Sequence, residues 1–536
     1  CRIVIKDGKV IDIRSGWLQT RENMWEITIP EGVREIGSEV FSDCRKLETI
    51  HLPDTLLKIG YKAFYGCEKL KEVRLPQEVS CINSYAFGGC TRLEDITLSY
   101  SLTTIGERAF YRCAYLQDIL IPESVVNIGH YAFEDCTSLN EVIIRGNIEV
   151  LEPGTFRGCE RLENITLPDT LREIKKEVFI NCARLSSIYI PEGVEYIGNS
   201  VFLNCTELAE INMPSSIKYL GKDVFENTDY LKNAYTQNGG IYCENILIKY
   251  KEIHRHVEVL DGTRVIAGGA FYQNPYLETV ALPQSIRGIG EAAFAECPNL
   301  KEIELPENME YIGSSALSKT GIQKIRFPQS IKNIPDYVCG DCKNLREVTL
   351  YENLETVGGI PFINTPWMDH VAEDEYGCKY FQNILFDYVQ GESHVKVREG
   401  TKSISGEAFL NSDRLEKIDI PKSVEMIGME AFSGCKNLKE CIFEEESNIK
   451  KIYEEAFKEC TSLKEIEIPE STKYLGAQAF KDCSSLEKIV FREGCDIKAL
   501  NMEAFSGCSN LREISLPSKL EEINYMAFSY CERLEK

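Results

Sequence analysis

The chain has 536 residues, 43% of them hydrophobic and 27% charged, which is the composition of a soluble folded protein. Its 60 Lys and Arg residues face 84 Asp and Glu, giving a formal net charge of -24 that repels nucleic acid and anionic lipid and favours basic or neutral partners. No apolar run approaches the roughly 20 residues that a membrane-spanning helix needs.

The N-terminal residues Ile3-Val4-Ile5-Lys6-Asp7-Gly8-Lys9-Val10 read as a hairpin-like opening unit, leading into Ile27, Ile29 and Pro30. Residue 1 is Cys rather than Met, and the chain stops a few residues before another strand should begin, so the sequence is expected to be a fragment, truncated at the C-terminus. From Phe41 onward nine phenylalanines stand 23 residues apart: Phe41, Phe64, Phe87, Phe110, Phe133, Phe156, Phe179, Phe202 and Phe225. A strict period in this range marks stacked structural repeats, and so a solenoid.

The repeat from Leu47 to Cys67 shows the logic. Ile50 and Leu52 alternate with Thr49 and His51, the period of a strand with one buried face. Pro53 ends that strand, because it has no N–H for the ladder. Leu56 and Ile59 return the chain to the core through a second short extended piece. Ala63, Phe64 and Cys67 then fall at three- and four-residue spacing, which predicts a single helical turn. No coil can bury these side chains alone; stacking buries them, and the Phe column becomes an aromatic spine. The slot after the second Ile is often Gly (Gly37, Gly60, Gly106, Gly129, Gly198), but Lys175 and Pro335 also occupy it. Since Pro requires negative φ, the glycine is expected to serve close packing rather than a left-handed backbone.

The period breaks twice, between Phe225 and Phe271 and between Phe362 and Phe409, and the two interruptions are related to each other. Asn227-Thr228, Tyr230, Asn245-Ile246-Leu247, Tyr250 and His256-Val257 match Asn364-Thr365, Trp367, Asn383-Ile384-Leu385, Tyr388 and His394-Val395. Their alternation predicts a β-hairpin in place of the Phe turn. The chain is therefore divided into blocks 1–227, 228–364 and 365–536, each opened by such a unit. Two-residue insertions separate Phe432 from Phe457 and Phe480 from Phe505; they should bulge as small loops and leave the stack intact.

The motif Leu-x-x-Ile-x-Leu-Pro-x-x-Leu-x-x-Ile-Gly-x-x-Ala-Phe-x-x-Cys resembles the BspA-like leucine-rich repeats, also called the Treponema pallidum type. It covers nearly the whole chain. The resemblance implies a right-handed leucine-rich-repeat solenoid, here mainly short β-strands and single helical turns in about 20 repeats of 23 residues, interrupted by hairpin units. It also implies a surface or secreted protein of host-associated bacteria or anaerobic protists, with adhesive binding and no catalytic residues to carry over. Leu317 and Cys339 stand in place of Phe, and Ser99, Gly146, Glu445 and Glu493 in place of the strand-ending Pro.

Fifteen of the 22 cysteines lie three residues after the spine position, from Cys44 to Cys531. Thr228, Asn274, Thr320, Thr365 and Ser412 fill the same slot, so the position wants a compact group that can satisfy a turn's backbone, and the thiols are read as structural. Apart from Cys339-Gly340-Asp341-Cys342, whose first Cys stands at a spine position, no Cys-x-x-Cys pair or other metal-ligand spacing occurs, and His254 and His256 read as solvated hairpin residues. There is no phosphate-binding loop, nucleophile elbow or calcium loop. The sequence therefore predicts no catalytic, cofactor or metal site. Asn164 and Asn204 begin glycosylation sequons that read as chance matches within the repeat.

The exposed strand positions line up from coil to coil and form the expected working surface. Residues before the buried Ile are often acidic, among them Glu26, Glu72, Asp95, Asp118, Glu141, Glu210, Glu302, Glu440, Glu465 and Glu513, and those after it vary. The candidate partner-binding face comprises Glu72, Arg74, Tyr189, Glu210, Glu302, Glu304, Arg326, Glu465 and Glu467. The leading reading is a non-enzymatic binder of a protein or cell-surface ligand, basic in character, acting as a bacterial surface adhesin at the cell surface or in secreted form. An intracellular interaction scaffold in the cytoplasm is the alternative, motivated by the many reduced thiols.

Overall fold

The computed structural model describes residues 2–6, 9–14, 24–351, 353–389, 391–524 and 526–534. Each coil carries two short strands and a turn. In the repeat above, Thr49–His51 is a strand with only Ile50 turned inward, and Lys58–Ile59 is a second strand of two residues. The first pairs in parallel with Glu26–Thr28 of the preceding coil. The second pairs in parallel with Glu35–Ile36 before it and Cys81–Ile82 after it. Pro53 sits just past the first strand, where its missing N–H costs no ladder bond.

The Phe side is a succession of tight turns rather than a helix, for a physical reason that the three- and four-residue spacing hides. Within the coil, the amides of Tyr65 and Cys67 bond back three residues to the carbonyls of Lys62 and Phe64, at 3.1 and 3.2 Å. The intervening amides leave the coil: Lys62, Phe64 and Gly66 donate to Ser84, Ala86 and Gly88 of the next one, at 3.0, 2.8 and 2.8 Å. Left-handed residues two before and two after the Phe make this alternation possible, here Lys62 at φ 50° and Gly66 at φ 70°. Arg108, Tyr131 and Glu177 hold the same conformation at φ 49°, 56° and 65°. Each such residue costs on the order of 1–2 kcal/mol, and the inter-coil bonds it permits offset that cost.

The spine rings stack face to face. Phe41 and Phe64 lie 5.2 Å apart between centroids with planes 2° apart, and Phe179 and Phe202 lie 5.5 Å apart at 3°. Both insertions leave the stack unbroken, with Phe432 and Phe457 at 5.0 Å and Phe480 and Phe505 at 5.7 Å. Where Cys339 supplies no ring, Phe327 from the strand side meets Phe362 edge-on at 6.2 Å. The glycine slot is tight, as expected: a Cβ on Gly129 would lie 2.5 Å from the Glu107 nitrogen and 2.7 Å from the Gly106 carbonyl carbon.

Two compact units are present. The first comprises Cys1–Glu252, Gly262–Ala270 and Gly288–Gly290. It opens with antiparallel strands Arg2–Lys6 and Lys9–Arg14, the latter pairing in parallel with Glu35–Ile36. Beyond Phe225 the Thr228 side chain caps the short helix Asp229–Lys232. Antiparallel strands Tyr235–Gln237, Gly240–Cys243 and Ile246–Tyr250 follow, and the last returns to parallel pairing with Val265–Ile266. The second unit comprises Ile253–Asp261, Phe271–Arg287 and Glu291–Lys536. In it Thr365 caps the helix Pro366–His370, and the hairpin Cys378–Phe381 with Ile384–Tyr388 joins Ser403–Ile404 in parallel. The hairpins are bulged at matching places, Ile241/Tyr242 and Lys379/Tyr380, so their kinship holds in three dimensions. The capped helices were not foreseen, although Thr365-Pro366 is an N-cap followed by Pro at the first helical position.

Candidate functional site

The exposed strand positions differ between the two units in how their charges are matched. In the first unit Glu72 is in register with Asp95, and Asp118 with Glu141, on neighbouring parallel strands. Strands so paired lie roughly 4.8 Å apart, and like charges directly opposite destabilise a ladder. Arg74 spends its charge locally, with its Nε donating to Glu72 Oε1 at 2.8 Å. Asp95, Asp118 and Glu141 have no ion pair among the described residues. Leu120, 39% exposed, stands beside Asp118 on the same face and in register with Ile143.

In the second unit several strand charges are matched. Lys417 reaches Glu440 at 2.9 Å, and Arg492 reaches Glu467 at 2.9 Å. Arg326 is clamped by Glu307 and the Tyr351 hydroxyl, both at 2.8 Å. Glu302 and Glu304 are exposed on and just beyond strand Glu302–Ile303, and Glu465 is exposed on Glu465–Ile468 in register with Lys488. The nine candidate residues are divided between the two units, four in the first and five in the second.

Two of them do converge. Tyr189 and Glu210, on successive coils of the first unit, line an open groove of about 540 Å³ together with Tyr230 of the short helix and Glu244 of the hairpin turn. Ser187, Ile188, Ala209, Ile211 and Asn212 complete it. The groove lies where the strand face meets the hairpin unit. Tyr189 is 63% exposed at its rim. Tyr230 is fixed: its amide donates to Leu208 at 2.6 Å, its ring meets Phe225 edge-on at 5.0 Å, and its hydroxyl lies near the Cys243 thiol. Burial, followed by the nearby Cys243 and Glu244, pushes the Tyr230 hydroxyl well up, so it stays protonated. Asn212 is committed to structure, its amide accepting from the Ile190 N–H and donating to the Ile190 carbonyl, each at 2.8 Å. Sequence reasoning missed Tyr230 and Glu244 as groove residues. The shared aromatic at Tyr230 and Trp367 was visible, and the structure gives both the task of closing a Phe stack, Trp367 meeting Phe362 at 4.9 Å.

A family model for the BspA type leucine-rich repeat region matches residues 12–140, 126–245, 264–391, 375–448 and 402–535. The chain belongs to the BspA-type leucine-rich repeat family. Comparison with curated proteins found no match. Among solved structures, a leucine-rich repeat protein from Bacteroides ovatus is 24% identical, with a TM-score of 0.37, covering 89% of this chain and 97% of its own. A leucine rich cell surface protein from Faecalibacterium prausnitzii is 24% identical, with a TM-score of 0.32 and coverages of 82% and 92%. The T. pallidum leucine rich repeat protein is 29% identical over 34% of this chain and 78% of its own, with a TM-score of 0.29.

In this BspA-type chain the cysteine column has a defined job. From Cys67 onward the column's thiols donate to the carbonyl of the spine residue one coil earlier: Cys67 to Phe41 at 3.2 Å, Cys136 to Phe110 at 3.2 Å, Cys483 to Phe457 at 3.0 Å. Where Thr replaces Cys, its hydroxyl satisfies its own turn instead, Thr228 to Phe225 and Thr365 to Phe362 at 2.7 Å. Burial pushes the Cys67 and Cys136 thiols well up and Cys297 to about 11, so they remain neutral donors. None of the described cysteines forms a disulfide. Among the described residues no three His, Cys, Asp or Glu side chains are placed to hold a metal ion. His256 lies on the strand His256–Glu258 beyond the hairpin, where its Nδ1 pairs with Thr279 at 2.8 Å. The Asn204 amide is consumed in a ladder with Asn181 and Asn227, at 2.9 and 2.8 Å.

Proposed function

We propose that this protein is a non-enzymatic binder whose partner is a basic protein surface, held along the exposed strand face of the first unit. One observation carries the reading: Asp95, Asp118 and Glu141 succeed one another on that face without ion pairs among the described residues, beside the apolar Leu120 and Ile143, while several strand charges of the second unit are paired, Lys417 with Glu440 and Arg492 with Glu467. Folding alone does not favour stacked carboxylates, and a cationic partner relieves them. Membership of the BspA-type family supports an adhesin at the bacterial cell surface, and the division into blocks 1–227, 228–364 and 365–536 makes the first block the binding module.

The test is retention of host matrix proteins and bacterial cells on the immobilised chain. Asp95→Asn/Asp118→Asn/Glu141→Gln should lose retention while unfolding at the same or higher denaturant concentration as the parent. Equal retention by the triple variant would sink the strand-face reading. The intracellular scaffold is the second reading, supported by the column of buried reduced thiols. Immunogold labelling of intact cells separates the two.

A further inference from the structure

We infer that the groove between Tyr189, Glu210, Tyr230 and Glu244 is a subsite for an arginine side chain of the bound partner, an inference that rests on the protein-binding reading. Its shape and chemistry converge on one group. A groove of about 540 Å³ takes a long side chain with its flanking backbone. Two carboxylates, Glu210 and Glu244, enter it from different structural elements, and neither has an ion pair among the described residues. Two tyrosine rings accompany them. A guanidinium is planar, presents donors in a fork that matches carboxylates, and stacks on aromatic faces; an ammonium does neither as well.

The groove is also organised in advance of binding, which lowers the ordering cost of association. Tyr230 is anchored by Leu208, Phe225 and Cys243, so its ring cannot swing out. Glu244 sits at the hairpin turn with φ 52°, and its carbonyl accepts from the Tyr235 hydroxyl at 3.1 Å. Asn212 is locked onto the Ile190 backbone, so the groove's polar recognition is left to the two carboxylates and Ser187.

The experiment is ligand-observed saturation-transfer NMR on the whole chain with N-acetyl-arginine methylamide, and with the citrulline counterpart as a neutral isostere. The arginine probe should bind saturably with a dissociation constant on the order of 1 mM. Binding should fall at least about tenfold for the citrulline probe and for Glu210→Gln/Glu244→Gln, a loss that corresponds to about 1.4 kcal/mol. Tyr189→Phe should keep it, Tyr189→Ala should weaken it, and Glu445→Gln/Glu493→Gln, at exposed carboxylates outside the groove and the strand face, should leave it unchanged. Circular dichroism melts establish that each variant is folded. Equal binding of the citrulline probe, or undiminished binding by the Glu210/Glu244 variant, overturns the subsite. Absence of saturable binding also overturns it, and if macromolecular retention still depends on Asp118 and Glu141 the strand-face reading survives alone.

Discussion

The thiol of Cys205 lies 3.0 Å from the carbonyl oxygen of Phe179, one coil back in the stack. That carbonyl already accepts the Cys182 amide of its own turn, at 3.1 Å. The thiol therefore uses the carbonyl's second lone pair and ties consecutive coils together at the spine.

Removing such a tie should be measurable at Cys136, whose thiol bonds Phe110. Cys136→Ala is expected to cost about 1 kcal/mol, the net worth of one buried hydrogen bond, with a small cavity penalty added. Cys136→Thr should recover part of it through its own turn, as Thr228 does. Urea denaturation midpoints compare the three.

A larger loss is expected at Phe133, which is fully buried and stacked at 5.1 Å on Phe110 and 5.5 Å on Phe156. Phe133→Ala should cost about 3–5 kcal/mol. Phe133→Leu, which Leu317 mimics in this chain, should cost about 1.5 kcal/mol or less. Hydrogen exchange should show the protection loss centred on the coils of Phe110, Phe133 and Phe156, because stability in a solenoid is carried by neighbouring repeats.

At Gly129 the sign of the effect is informative. Gly→Ala stabilises by about 0.4–1 kcal/mol where the backbone and space allow it. Here the new Cβ would meet the Glu107 nitrogen at 2.5 Å, so Gly129→Ala should instead destabilise by about 1–3 kcal/mol. A rise in melting temperature would show that the coils can move apart.

Stability should fall on the alkaline side. Burial raises the Cys297 thiol to about 11 and the Cys435 thiol to about 12, above their ordinary value. Above pH 9 the unfolded chain has released thiol protons that the folded chain retains, so the unfolded state binds fewer protons and stability drops as pH rises. Each such thiol contributes a slope of about 1.4 kcal/mol per pH unit between its unfolded and folded values. Their contribution is fully present below pH 9 and is lost toward pH 11–12; melts across pH 8 to 10.5 should show the onset.

The like-charge strand pair gives an opposite result. Asp118→Asn/Glu141→Gln should stabilise the isolated protein by about 0.2–1 kcal/mol at low salt. Added salt should shrink the gain, because these exposed charges are then screened. Thermal melts at two ionic strengths provide the measurement.

The 23-residue period, the buried strand positions, the close-packing role of the glycines and the kinship of the two interruptions were all legible in the sequence, because each rests on side-chain type recurring at fixed spacing. The harmless insertions after Phe432 and Phe480 were legible for the same reason. The Phe turn was not: Ala63, Phe64 and Cys67 have helical spacing, and only the backbone shows the left-handed residues, Lys62 and Gly66, that flank the turn. Asp43, Asn181, Asn204 and Asn364, two residues after the spine position, were the signal, since Asn and Asp enter that region more readily than most side chains.

The candidate surface divides along the same line. Sequence alone determined which positions point outward on each strand, since alternation requires no knowledge of neighbours. It could not show that Arg74 is spent on Glu72, that Arg326 is held by Glu307, or that Asp95, Asp118 and Glu141 have no ion pairs among the described residues. Nor could it join Tyr189 and Glu210 to Tyr230 and Glu244, which come from a helix and a hairpin outside the repeat. Periodicity fixes the direction of a side chain; the company it keeps depends on contacts between coils, and those only the tertiary structure decided.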